Sequence, residues 1–350
     1  MSITKPLSQL SPGQRVGPYT IQHLIGRGRQ AEVYRASRTG SRSDVAVKVF
    51  LPGVIRGPSH ATCFLEEAAR LASLVHPHIV RVYDFGAEHE RELYFIAMEF
   101  LPGGTLRDSI AAHPSGYPRD DVLRLFTPIV DAVAAAHDQG IVHANLRPEQ
   151  ILLGVEGRPV LTDFATSCLD PATQPAQPLR LSAIAYWAPE QAAQLQPTPA
   201  VDVYALGVLL HELAVGDVPF MGSTRDEIVA QHLYEAPVPP SQRKAGLDPR
   251  IERVIQIALQ KNPKDRFVSV REMVALLNSA SGDDYATLNL DRRLTRDVRR
   301  RSEENAFRKT RAAPTPQDDT LPPKPSSKKP WLIIGAGIGL GLAALALLLL

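Results

Sequence analysis

Cysteine, tryptophan and an excess of charge of either sign are all scarce in this 350-residue chain. Its two cysteines are too few for a disulfide framework or for the ligand spacing of a zinc site. The 39 basic residues exceed the 37 acidic residues by two, which excludes the strong basic excess that a general nucleic-acid binder needs. The first twenty residues lack the apolar core of a secretory signal. This absence predicts that the N-terminus stays in the cytosol.

The composition is otherwise that of a globular protein, with three segments of different character. Residues 17–279 have the mixed apolar and polar pattern of one folded domain, which follows a short leader, residues 1–16. Residues 280–330 are rich in proline, arginine and small polar residues, and such a segment buries too little surface to offset its chain entropy. It is predicted to be a linker before the membrane. Its basic run at 292–301 is either a solvated stretch or a surface for anionic lipid.

The last segment, residues 331–350, has twenty residues and no charge. At about 1.5 Å per residue it can span a bilayer core of ~30 Å, whereas a soluble helix is rarely apolar on every side. Lys328 and Lys329 precede it and favour a cytoplasmic position for the folded domain, so a single-pass membrane protein is predicted. The span would be a tail anchor or would lead to an outer domain. Gly335 and Gly339 would share one helix face, which makes a homodimer a further expectation.

The hydrophobic pattern of the folded domain changes along its length. Its first part predicts one helix, over 62–75, and strands over 19–24, 32–36, 44–50, 79–85 and 93–100. After Gly104 the spacing becomes helical, over 120–139, 201–215, 225–234, 250–260 and 269–277. Strands first and helices later predict an α+β fold with a small sheet lobe and a larger helical lobe.

Two features of the sheet lobe suggest phosphate chemistry. Gly26 and Gly28 lie in a turn between two predicted strands, where glycine lets backbone N–H groups approach a phosphate; an ordinary glycine turn is the alternative. Lys48 lies within a buried strand pattern and needs an anionic partner. Glu67 on the following helix can supply one, unless the two are unrelated surface charges.

Four further motifs follow in the helical part: HANLRPEQ at 143–150, DFA at 163–165, APE at 188–190 and DVYALG at 202–207. Together with the glycine turn and Lys48, their order and spacing resemble the eukaryotic-type Ser/Thr protein kinases, most closely the bacterial membrane-bound ones. The resemblance covers about residues 19–277 and implies the two-lobed protein-kinase fold.

The resemblance implies binding of ATP and Mg²⁺ in the cleft between the lobes. The nucleotide would be held by Ile25, Gly26, Gly28, Val33, Ala46, Lys48, Glu67, Glu99, Leu101 and Leu152. Asp163 would bind the metal. Glu190 and Arg266 would form a buried structural ion pair, and Asp202 would brace the catalytic loop.

The catalytic loop departs from the family pattern at four positions, and the first, Ala144, removes the arginine that would pair with a phosphorylated activation loop. Asn145 stands where the family has the aspartate that accepts the substrate proton, and an amide cannot take that proton. General-base catalysis typically contributes ~10²–10⁴-fold. Arg147 replaces a lysine and differs in shape. Gln150 replaces the metal-binding asparagine with a side chain one methylene longer, so Mg²⁺ coordination would need a backbone shift.

Further departures lie around this loop. Ala165 replaces the glycine of DFG, Ala31 replaces the third loop glycine, and Ala183 replaces a threonine whose hydroxyl contacts the catalytic loop. The residues that would bind the nucleotide thus match the family, whereas the residues that would carry out phosphoryl transfer differ from it. The sequence therefore predicts a nucleotide-binding pseudokinase that serves as a scaffold for signalling proteins. The alternatives are an active Ser/Thr kinase and an interaction module without nucleotide.

Overall fold

The computed structural model describes residues 10–28, 30–40, 43–88, 91, 93–164 and 181–279. Within these residues no helix combines the length and apolar character needed to cross a membrane. Residues 1–9 of the predicted leader lie outside the described residues, whereas residues 10–16 are described and end in a short strand of the sheet, Arg15–Val16. The predicted linker, 280–330, and membrane span, 331–350, lie wholly outside them.

The first part of the chain forms a six-stranded antiparallel sheet in the order β1-β2-β3-β4-β6-β5. Its strands are β1 (Arg15–Val16), β2 (Tyr19–Arg27), β3 (Ala31–Arg38), β4 (Asp44–Phe50), β5 (Val82–Glu88) and β6 (Leu93–Glu99). The helix α1 (Gly57–Ser73) packs against β5 and buries Phe64 and Ala68. The predicted sheet lobe is confirmed.

The rest of the described chain is mainly helical. Its helices are α2 (Leu106–Ala111), α3 (Arg119–Asp138), α4 (Leu181–Ile184), α5 (Pro189–Ala192), α6 (Pro199–Val215), α7 (Arg225–Tyr234), α8 (Pro240–Arg243), α9 (Pro249–Ala258) and α10 (Arg271–Leu277). A two-stranded hairpin, β7 (Ile151–Leu153) and β8 (Pro159–Leu161), lies between α3 and α4. The predicted helical lobe is confirmed.

Helix α6 is the centre of the helical lobe, because every residue from 201 to 215 is buried. It is apolar on all sides, as expected of a helix enclosed by others. At Gly207 a Cβ atom would lie 2.6 Å from the Cβ of Ala258 on α9. Glycine at this position therefore allows α6 and α9 to pack closely.

Several predicted bounds differ from the observed ones. Helix α1 begins at Gly57 rather than residue 62, and Pro58 occupies its first turn, where a missing N–H costs no hydrogen bond. Strand β5 begins at Val82 rather than residue 79, because Ile79 instead forms an isolated bridge with Leu161. Helix α2 and strand β1 were not predicted, and both are short.

Two buried histidines of the helical lobe make its stability depend on pH. Burial lowers the pKa of His232 to about 3, with the charge of Lys261 adding to the effect. Burial also lowers the pKa of His211 to about 4, although its ring bonds the carbonyl of Asp217. Both rings are therefore neutral in the folded protein at pH values where the unfolded chain, with an ordinary pKa near 6.5, binds a proton.

We expect the free energy of unfolding to fall as the pH drops below about 6.5 and to keep falling toward about pH 4. Each histidine contributes on the order of 1 kcal/mol per pH unit in this window. Urea unfolding across the window measures the effect. His232→Phe, which cannot titrate, should show a shallower pH dependence than the wild type. An identical slope in both proteins would contradict the assignment.

Candidate active site

The cleft side of the sheet carries the residues predicted to hold a nucleotide. Gly26 of β2 pairs with Val33 of β3, and the Gly28 N–H donates to the Ala31 carbonyl at 2.8 Å, which closes the hairpin. Ile25 precedes them and is 42% exposed. The glycine turn therefore lies at the end of a regular hairpin, and residue 29 at its tip is outside the described residues.

The predicted adenine contacts lie on neighbouring strands and on the hairpin of the helical lobe. Ala46 of β4 is the register partner of Met98 on β6, and both are buried. Glu99 ends β6 and Leu101 follows it, while Leu152 lies in the middle of β7.

Lys48 forms an ion pair with Asp163, with 2.7 Å between Nζ and Oδ1. Asp163 thus takes the role of acidic partner that the sequence assigned to Glu67, which lies partly buried on α1. The Lys48 side chain is only 20% exposed, and a buried ammonium requires a nearby anion. Asp163 meets this requirement at hydrogen-bond distance.

Asp163 follows β8 and adopts a positive φ of 58°. Aspartate tolerates this left-handed backbone better than most residues. Burial opposes ionisation of its carboxyl group, but the charge and hydrogen bond of Lys48, with further contributions from His143 and Arg147, hold its pKa below the ordinary value. The charged form of the carboxylate is thus favoured by the groups around it.

The loop at 143–150 is fixed by a fully buried carboxylate. Asp202 of α6 accepts hydrogen bonds from the backbone N–H groups of His143 and Ala144, both at 2.8 Å. The ring of His137 lies 2.8 Å from the same carboxylate. Ala144 is held at a positive φ of 55°. The buried carboxylate of α6 therefore fixes the backbone at the start of this loop.

Asn145 and Arg147 line a small pocket at the surface of this loop. Ala183 of α4 lines the same pocket, so the position predicted to have lost a hydroxyl faces the catalytic loop. The side-chain amide of Gln191 also reaches the loop and donates to the Ala144 carbonyl at 2.8 Å. Asn145, Arg147 and Ala183, three of the altered positions, therefore line one pocket.

Gln150 is brought next to Asp163 by the β7–β8 hairpin. Ile151 pairs with Leu161, and the Thr162 N–H donates to the Gln150 carbonyl at 2.9 Å. With the amide oriented so that both of its ends are satisfied, Nε2 lies 2.9 Å from Asp163 Oδ2 and Oε1 lies 2.8 Å from Arg147 Nη2. The longer side chain thus turns toward the carboxylate.

Comparison with known proteins decides the family. The protein kinase domain family matches residues 19–276. The chain is 33% identical over 262 residues to the Ser/Thr-protein kinase PknB of Mycobacterium leprae, covering 73% of this chain and 42% of that protein. It is 31% identical over 335 residues to the Ser/Thr-protein kinase PrkC of Bacillus subtilis, covering 92% of this chain and 51% of that protein.

The chain belongs to the bacterial eukaryotic-type Ser/Thr protein kinase family. Among solved structures, the kinase domain of PknI from Mycobacterium tuberculosis superimposes with a TM-score of 0.60 at 27% identity, covering 77% of this chain and 99% of that one. The chain spans about half the length of the curated relatives that it matches.

The predicted ion pair of the kinase helical lobe is present and bidentate. Arg266 Nη1 and Nη2 lie 2.7 Å and 2.8 Å from the two carboxylate oxygens of Glu190. Arg266 also donates to the backbone carbonyls of Gln260, Ala200 and Lys261. The guanidinium thus joins α5, α6 and the segment after α9.

A second buried ionic cluster of this kinase domain was missed in the sequence. Arg107 of α2 contacts Glu149 at 3.0 Å and Glu212 of α6 at 2.5 Å. The Tyr186 hydroxyl hydrogen-bonds Glu212, and burial, followed by the charge of Glu212, raises the Tyr186 pKa well above its ordinary value. No local motif marks Arg107, since its partners are 42 and 105 residues away in the chain.

Protein kinases bind ATP together with Mg²⁺, and the cationic groups near Asp163 suit the phosphates of the nucleotide. Phosphate is an anion, and Lys48 and Arg147 supply ammonium and guanidinium groups at the cleft. In such sites Mg²⁺ usually keeps several waters and is bound by one or two carboxylates together with the substrate phosphates. Within the described part of the chain, no cluster of three or more histidine, cysteine, aspartate or glutamate residues could hold a metal ion.

Proposed function

We propose that this chain is a membrane-tethered, nucleotide-binding pseudokinase that acts as a scaffold for signalling proteins. The proposal rests on a contrast between the residues that would bind the nucleotide and the residue that would accept the substrate proton. Lys48 Nζ lies 2.7 Å from Asp163 Oδ1. Asn145, by contrast, stands at the sequence position where the family has its proton acceptor. An amide beside the substrate hydroxyl cannot accept its proton.

The nucleotide would lie between the two lobes. The glycine turn, with Ile25, Gly26 and Gly28, would cover its phosphates, and Val33, Ala46 and Leu152 would contact the adenine. Lys48 would hold the phosphates. The backbone of Glu99 and Leu101 would hydrogen-bond the base. Residues 331–350 would anchor the protein, with the folded domain in the cytoplasm and self-association through Gly335 and Gly339.

Lys48→Ala is expected to weaken ATP binding by about tenfold or more, because a charge-assisted hydrogen bond in a partly dry cleft contributes ~1.5–3 kcal/mol. Isothermal titration of the full chain measures the change. Lys264→Ala is the matched control, since Lys264 is an exposed lysine of the helical lobe, and it should bind ATP as the wild type does. If wild type shows no shift in melting temperature with nucleotide at about millimolar concentration, the protein is an interaction module without nucleotide.

An active Ser/Thr kinase is the second candidate. It is favoured by membership of the Ser/Thr kinase family and by the intact pair of Lys48 and Asp163. The rate of phosphate transfer separates the two candidates.

A further inference from the structure

With the Gln150 amide in the orientation in which its nitrogen donates and its oxygen accepts, both oxygens of the Asp163 carboxylate accept hydrogen bonds from this chain. Lys48 Nζ lies 2.7 Å from Oδ1, and Gln150 Nε2 lies 2.9 Å from Oδ2. Gln150 is itself held, because its Oε1 accepts from Arg147 Nη2 at 2.8 Å. Gln150 is 8% exposed, so water competes little for these bonds. An ammonium and an amide N–H thus stand where a cation would have to coordinate.

The charges around this carboxylate also disfavour a cation. The Lys48 ammonium bonds Asp163 directly, and the Arg147 guanidinium lies one hydrogen-bonded residue away, on Gln150. The carboxylate of Glu149 is directed to Arg107, at 3.0 Å, and to Arg147, at 3.6 Å. Glu149 is therefore engaged elsewhere and does not share a metal with Asp163, and Mg²⁺ gives up its hydration water only for a near-octahedral set of oxygen ligands.

We propose that this chain binds nucleotide without Mg²⁺, and that Gln150 is the residue that excludes the metal. The proposal rests on the nucleotide binding proposed above. Lys48 and Arg147 supply the positive charge that a metal would otherwise bring to the phosphates. Gln150 keeps Asp163 as a structural counter-charge for Lys48, so the aspartate is not a metal ligand. A nucleoside triphosphate as a free polyanion is the ligand class that fits such a cleft.

The test is titration of ATP into the full chain with excess Mg²⁺ and, separately, with EDTA. The dissociation constants in the two conditions are expected to agree within about threefold. Binding that is tighter by about tenfold or more with Mg²⁺ would overturn the proposal and leave the proposed nucleotide binding intact. Absence of binding in both conditions would overturn the proposed nucleotide binding and this inference with it.

Two variants assign the effect to Gln150. Gln150→Asn shortens the side chain by one methylene and should free Asp163 Oδ2, so Mg²⁺ is expected to tighten ATP binding about tenfold in this variant. Gln260→Asn is the matched control, because the Gln260 amide is exposed and bonds the Gln256 carbonyl, at 2.9 Å; it should remain insensitive to Mg²⁺. Thermal unfolding confirms that each variant is folded. If Gln150→Asn folds and binds ATP equally well with and without Mg²⁺, Gln150 is not the residue that excludes the metal. If that variant does not fold, the comparison of wild-type binding with Mg²⁺ and with EDTA still tests whether Mg²⁺ is excluded.

Discussion

Arg266→Met is expected to lower the free energy of unfolding by about 3–5 kcal/mol, the loss typical of breaking a buried ion pair from one side. Arg266 is 3% exposed and Glu190 is 8% exposed. Removing the guanidinium leaves a buried carboxylate without its counter-charge. It also leaves the carbonyls of Gln260, Ala200 and Lys261 without their donor. Chemical denaturation of the two proteins measures the difference.

The matched control uses the same substitution at an exposed pair. Arg271 contacts Asp138 with the same two-pronged geometry, 2.9 Å and 2.5 Å, but both side chains are more than half exposed. Exposed pairs contribute little because water and salt screen them, so Arg271→Met should leave stability nearly unchanged. The double variant Arg266→Met with Glu190→Leu should lose less than the sum of its single variants. If Arg266→Met and Arg271→Met lowered the free energy of unfolding equally, burial of the ion pair would not be the cause of the loss.

Phosphate transfer by the wild-type chain is expected to be ~10²–10⁴-fold slower than the ~1 s⁻¹ at the low end for active kinases. Asn145→Asp restores a proton acceptor, but it should recover only part of the rate, because Gln150 and Ala183 are separate defects. The combination of Asn145→Asp, Gln150→Asn and Ala183→Thr should be faster than Asn145→Asp alone. Transfer of labelled phosphate to a generic peptide measures all three proteins.

Asn145→Ala supplies the control for this series. If Asn145 takes no proton, its removal should not lower the residual rate further. A wild-type rate of ~1 s⁻¹ or faster would contradict the pseudokinase proposal and establish the active kinase in its place.

The elements whose bounds were predicted best are those with a clear hydrophobic period or a clear capping motif. Strand β4 has the predicted bounds, since Val45, Val47 and Val49 recur at every second position, which is the period of a strand. Helix α7 also has the predicted bounds, and Thr224 with Glu227 forms a capping box at its start. Helix α2 has a similar box at Thr105 and Asp108, which could have located it, although six residues are too few for a clear hydrophobic period.

The contacts of the site were less predictable than its residue list. Lys48 could pair with either of two acidic residues, and one sequence cannot say which carboxylate is nearer. A longer amide at position 150 can either move the backbone or turn toward a neighbour. The side chain turns toward its neighbour, because the hairpin fixes Gln150 opposite Thr162 and so beside Asp163. Such a choice depends on the register of two strands, and no local pattern encodes it.

Because α6 is enclosed by other helices, the chain cannot be shortened into the helices that cover it without exposing part of this helix. A helix that is buried from residue 201 to 215 has no surface of its own, so it depends on the segments that cover it. Helix α9 packs directly against it, and α10 in turn packs against α9. A fragment that ended before Pro249 would present one side of α6 to water and would be prone to associate with other chains through it. We therefore expect a stable fragment of the helical lobe to extend through α10, which ends at Leu277.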